Sequence, residues 1–189
     1  VCGLAVRDST VFTLGSDRDG DGWSFRENGK GVMERDTGNP VGSLYTDNGE
    51  LCFAYRIPVR TGGDGRTGQK FYMVSEDGDM HLDIPDDVTS VLDIRRHRGE
   101  VNILAYSQGC DGMIWLCGES RDTIDMEGGG YKDYSRFVTA DSLLIAMETA
   151  YQGWGYRTCF WSRGRKRITR TEAPSSSTVC SACDGMPAL

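Results

Sequence analysis

Histidine is nearly absent: the 189-residue chain has two, His81 and His97. Neither stands in a spacing that would build a metal centre or a nucleophile–base pair, and no G-x-S-x-G elbow occurs. No run of eighteen apolar residues occurs either, so no membrane-spanning helix is expected. There is no Asn-x-Ser/Thr acceptor, which counts against a eukaryotic surface glycoprotein. Positive charge is scarce. Lys and Arg total 21 against 28 acidic residues, giving a formal net charge of −7 and a pI of about 4.9. Such a chain repels phosphate, so nucleic acid is not an expected partner. The one concentrated basic run, Arg163 to Arg170, reads as a solvated loop or strand edge; an anion-binding strip and a dibasic protease site are the alternatives. The chain opens on Val1 with no leader-like stretch, which reads as a processed product.

Glycine is abundant, with 25 residues, roughly twice average usage. Many tight turns follow, because glycine alone takes positive φ at little cost. Short alternating or β-branched runs lie between the turn signals. Strands are expected at Val11–Leu14, Gly49–Ile57, Lys70–Val74, Phe160–Trp161 and Ser176–Val179, with a hairpin from Val101–Tyr106 and Met113–Cys117. One segment breaks the pattern. Residues 139–151 are rich in helix formers, with Thr139 as a candidate N-cap and Gly153 just beyond, so a helix of about three turns is expected there. The expected fold is therefore mainly β: antiparallel sheets in a propeller-like or sandwich arrangement, with one helix near 139–151. Residues 1–189 read as a single domain with a loop-like tail over 174–189. No fixed-period repeat is visible.

Seven cysteines, Cys2, Cys52, Cys110, Cys117, Cys159, Cys180 and Cys183, are scattered along the chain. Only Cys180 and Cys183 have metal-ribbon spacing, and no histidine is near them. Disulfides are the better reading, and with them an oxidising setting, extracellular or at a virion surface. The odd count leaves one thiol over, or one bond to a neighbour in a homo-oligomer or larger assembly. Pairing does not follow from spacing.

The sharpest local motif is Asp17-Arg-Asp-Gly-Asp-Gly22. Carboxylates of Asp17, Asp19 and Asp21 on a tight loop can converge on one hard cation, so calcium is the candidate cofactor. Asn28 stands where the closing bidentate ligand should fall, so the loop suits two strands better than an EF-hand. A metal-free acidic turn is the other reading. Asp64-Gly65, Asp77-Gly-Asp79 and Asp86-Asp87 read as solvent-facing turns, and Asp93 to Glu100 as an exposed turn before a strand. Late aromatics from Tyr131 to Trp161, interleaved with Gly and Arg, suit either a sugar-stacking surface or ordinary β packing.

Several stretches resemble influenza-type viral neuraminidases. They are Cys159-Phe-Trp-Ser-Arg-Gly-Arg, Ser175 to Cys180 with Asp184-Gly185, Gly153-Trp-Gly-Tyr156, Ser135-Arg136 with Leu143-Leu-Ile145, and Val1-Cys2 with Arg7 and Phe12 to Gly15. The resemblance implies that Arg7 and Arg136 grip the carboxylate of sialic acid, since guanidinium forks match carboxylates. It implies Tyr156 as the nucleophile, an exception to the two-carboxylate scheme, and Asp36 as the acid/base group. Calcium supporting the fold fits the same resemblance. Two functions are thus expected. One is recognition of sialylated or other glycans, with sialidase hydrolysis as its enzymatic form. The other is a non-catalytic, calcium-stabilised β-domain that binds a partner within a viral, phage or secreted assembly.

Overall fold

A computed structural model describes residues 3–16, 22–61, 66–110, 112–124, 131–140, 143–151, 156–162 and 165–169 of the chain. These residues form sixteen strands and no helix. The strands make four sheets, each a meander of four antiparallel strands in chain order. Sheet I holds β1 (Gly3–Arg7), β2 (Thr10–Ser16), β3 (Trp23–Glu27) and β4 (Lys30–Arg35). Sheet II holds β5 (Asn39–Asp47), β6 (Glu50–Thr61), β7 (Arg66–Ser75) and β8 (Gly78–Leu82). Sheet III holds β9 (Val88–His97), β10 (Glu100–Ser107), β11 (Met113–Cys117) and β12 (Ser120–Ile124). Sheet IV holds β13 (Tyr131–Ala140), β14 (Leu143–Tyr151), β15 (Tyr156–Ser162) and β16 (Arg165–Thr169). This is the construction of propeller blades, so of the two β architectures expected, the propeller-like one is found. No helix of the described residues is long and apolar enough to cross a membrane.

The turns explain why the chain folds into meanders. In sheets I to III the first hairpin closes on two residues: Asp8-Ser9, Asn48-Gly49 and Arg98-Gly99. All six have positive φ, from 48° at Asp8 to 85° at Gly49. That is a type I′ turn, whose twist matches the twist of the strands it joins. Asn28-Gly29 does the same between β3 and β4.

The chain divides into two compact units, 1–123 and 124–189. In the first, β5 runs beside both β1 and β9, so the first strands of three sheets adjoin. Two cores lie between the sheets. Phe12, Leu14 and Trp23 of sheet I pack on Leu44, Leu51, Phe53, Tyr55 and Val74 of sheet II. Trp23 is fully buried, edge-on to Phe53 at 5.1 Å and tilted against Tyr55 at 5.0 Å. The opposite face of sheet II, with Val41, Tyr45, Cys52, Ala54, Phe71 and Met73, packs on Ile94, Ile103, Ala105, Ile114 and Leu116 of sheet III. Sheet II is apolar on both faces because it is covered on both, which erases the polar alternation of a half-exposed strand.

In the second unit, the expected helix over 139–151 is two strands instead. β13 and β14 pair from Tyr131↔Tyr151 to Ala140↔Leu143, and only residues 141 and 142 separate them. Thr139, the expected N-cap, lies within β13 and pairs with Leu144. β14 pairs on its other side with β15, from Ile145↔Ser162 to Tyr151↔Tyr156. Ala146 is fully buried, with Phe137 and Trp161 as its cross-strand neighbours. Helix propensity is worth tenths of a kcal/mol per residue, and pairing along both edges of a strand outweighs it.

Close approach of the buried Asp93 side chain fixes the glycine at position 42. Gly42 sits at the irregularity of β5 with φ of 76°, and a Cβ there would overlap Asp93 Oδ1 of β9. Gly29 has φ of 80° but open space around it. Gly29→Ala is therefore expected to cost about 1 kcal/mol from backbone strain alone, and Gly42→Ala at least about twice that, because clash adds to strain. Urea unfolding of the two variants checks the difference; equal costs would mean that the β5–β9 approach is not tight.

Candidate functional site

The ionisable side chains of the first unit gather where sheets meet. At the end of β5, Asp47 is 6% exposed. Its Oδ1 accepts from the Arg98 amide at 2.7 Å and its Oδ2 from the Gly99 amide at 3.0 Å. Arg96 of β9 donates from Nε to Asp47 Oδ2 at 3.2 Å and reaches Glu50 with its outer nitrogen. A carboxylate of sheet II thus caps the turn of sheet III. The Arg96 guanidinium is held above its usual range, first by the hydrogen bond to Glu50. Beneath it the Tyr45 hydroxyl accepts from the Arg96 amide at 2.5 Å and donates to Met73 Sδ at 3.5 Å.

Sheet I is tied to sheet II in the same way. Arg7, at the end of β1, pairs with Glu76 and donates to the Gly49 carbonyl at 3.0 Å. Its guanidinium also lies 5.5 Å from the centre of the Phe12 ring. Arg35 of β4 and the Tyr55 hydroxyl both donate to Asp79 Oδ2, at 3.2 and 2.8 Å. Within sheet III, Asp87 accepts from Ser107 at 2.6 Å and from Arg121 at 2.5 Å, tying β12 back to the entrance of β9.

These surroundings set the chemistry. Burial pushes the Tyr55 hydroxyl up to about 12, with the bond to Asp79 adding to it. Burial also raises the Tyr45 hydroxyl, and it pushes the Cys52 thiol up to about 11. All three move away from the ionised form that a nucleophile needs. Asp87 moves the other way: the Arg121 hydrogen bond, then that of Ser107, holds it at about 2.

One cavity of about 200 Å³ lies beside the Asp47–Arg96 clamp, lined by Met73, Ser75, Asp77, Gly78, Asp79, Met80 and Arg96. Met73 and Met80 are a cross-strand pair, so both side chains stand on the sheet III side of sheet II.

The residues expected from sequence are distributed over both units. Arg7 is engaged as described. Asp36 is exposed on the bend between β4 and β5. Arg136 belongs to β13, in the second unit, with its Nε buried. Tyr156 opens β15, and its side chain lies outside the described residues. Asp17, Asp19 and Asp21 of the calcium loop lie outside them too, as do residues 174–189. Among the described residues no group of three His, Cys, Asp or Glu is placed to hold a metal ion. The expected disulfides are not found there either: Cys52, Cys110, Cys117 and Cys159 stand as thiols, and Cys117 Sγ donates to Glu100 at 3.4 Å.

Three functional-looking groups escape the sequence reading. Asp79 and Asp87 read as solvated turn residues and prove to be ion-pair acceptors. The stretch from Asp93 to Glu100 reads as an exposed turn, but Asp93 to His97 is strand and Asp93 is buried. The available signal was the β-branched run from Val88 through Val91 to Ile94 just before the charges. Comparison with family models, curated proteins and solved structures finds no match for this chain.

Two measurements test the clamps. Asp47→Ala leaves two amides without their acceptor and the half-buried Arg96 guanidinium with Glu50 alone, and is expected to cost about 2–4 kcal/mol in urea unfolding; a cost below about 1 would mean the clamp is not formed. Asp87 lies below its ordinary 3.8. Its contribution to stability is therefore present above that value and is lost as pH falls through about 2. Arg121→Gln is expected to return the Asp87 carboxyl signal toward its ordinary range in an NMR titration and to flatten the stability curve over that interval.

Proposed function

We propose that this chain is a non-catalytic binding module built from propeller-type sheets, and that its role is to hold a rigid surface for a partner. One observation carries the reading. Among the described residues of the first unit, Arg7, Arg35, Arg96 and Arg121 are each committed to a carboxylate of the same chain. Tyr45, Tyr55 and Cys52 are driven away from ionisation. Such an arrangement spends its charge on joining sheets rather than on a reaction. Thiols at Cys52, Cys110, Cys117 and Cys159 suit a reducing as well as an oxidising setting, so the reading rests on the sheets and not on location.

The sialidase reading makes an opposite prediction, which gives the test. Wild-type protein incubated with a fluorogenic sialoside is expected to release no fluorophore, and Tyr156→Phe is expected to match it. Release by wild type that Tyr156→Phe abolishes would overturn the binding-module reading in favour of glycoside hydrolysis.

A further inference from the structure

We infer that the cavity between β7–β8 and β9 is the seat for one basic side chain, lysine or arginine, of a protein partner. The inference rests on the binding-module reading and names the partner chemistry of that surface. Three observations lead to it. The first is shape and size: about 200 Å³ is room for a single long side chain. The second is the wall. Met73 is buried and Met80 is 48% exposed, so thioether and methylene surface runs from the floor to the mouth. Methionine adapts to the occupant it meets, and the aliphatic stem of Lys or Arg lies along such a surface while its head stays near water.

The third is charge. The cavity's own cation, Arg96, already serves Asp47 and Glu50. Asp79 is served by Arg35. Asp77 at the mouth has no ion-pair or hydrogen-bond partner among the described residues. The Asp79 carboxylate is turned to sheet I with Arg35 and Tyr55, so three carboxylates, Asp47, Glu50 and Asp77, stand around the Arg96 guanidinium, and the site is left negative. A cation completes it, with Asp77 and the Ser75 hydroxyl placed to receive its N–H groups. An anionic occupant such as sialic acid would meet unbalanced negative charge and is disfavoured on the same ground.

The test uses the whole chain with methyl-labelled methionine and three capped tripeptides of the form Gly-X-Gly, with X as Arg, Leu or Glu. The Arg peptide is expected to shift the Met73 and Met80 methyl signals saturably, and to do so less as salt is raised. Asp77→Asn is expected to weaken that response about three- to fivefold, the factor of one partly exposed ion pair. Asp86→Asn, which removes the same charge away from the cavity, is expected to leave it unchanged. Equal response to the Leu or Glu peptide, equal weakening by both substitutions, or Arg-peptide binding that leaves both methyls unmoved would overturn the cavity assignment. None of those outcomes produces sialoside turnover, so failure here is distinct from failure of the non-catalytic reading.

Discussion

The buried carboxylate of Asp47 is the constraint around which the first unit is arranged. Removing a carboxylate from water costs several kcal/mol unless hydrogen bonds and opposite charge replace what water supplied. Here two backbone amides and the Arg96 guanidinium do so. The amides belong to the type I′ turn of a neighbouring sheet, so Asp47 is satisfied only when sheets II and III are in register. Arg96 then draws in Glu50, and its own amide fixes the Tyr45 hydroxyl, which reaches Met73 in the core. One polar requirement thereby sets the spacing of two sheets whose apolar faces would tolerate sliding.

The same economy recurs at the other junctions. Arg7 joins sheet I to the Asn48-Gly49 turn and to Glu76. Arg35 and Tyr55 converge on Asp79. These pairs are partly exposed, so each adds little stability by itself. Their effect is on specificity: they select which sheet edges meet. Aromatic contacts finish the rim, with Tyr55 stacked on Tyr72 at 5.1 Å and Tyr72 edge-on to His81 at 5.3 Å. What the junctions leave unspent is the methionine-walled cavity and the carboxylate of Asp77, and the functional reading follows from that remainder.

Much of the β structure is legible in the chain. Val11 to Leu14, Lys70 to Val74, Val101 to Tyr106 and Met113 to Cys117 all fall within strands, as does Gly49 to Ile57 apart from Gly49 itself, because β-branched and aromatic runs between turn dipeptides have few other uses. The segment over 139–151 misleads because Leu, Ala, Met and Glu favour helix only while their backbone lacks better partners, and β13 and β15 supply them. The repeat of four meanders is hidden for a different reason. In sheets I to III the defining feature is a two-residue turn after the first strand, written as Asp-Ser, Asn-Gly and Arg-Gly at unequal spacings, so neither residue identity nor period repeats.

The sequence by itself determined that this protein would be a glycine-punctuated, antiparallel β protein of acidic surface without a membrane-spanning helix. Those properties are local or additive: turn preference, side-chain alternation and summed charge need no knowledge of distant residues. Only the tertiary structure decided which charges matter. Whether Asp79, Asp87 and Arg96 are solvated, as their neighbours in sequence suggest, or bound into junctions depends on partners 20 to 49 positions away, from Ser107 with Asp87 to Arg96 with Asp47. A carboxylate is driven to pair by the water it loses, and which carboxylates lose water is a property of the packed sheets alone.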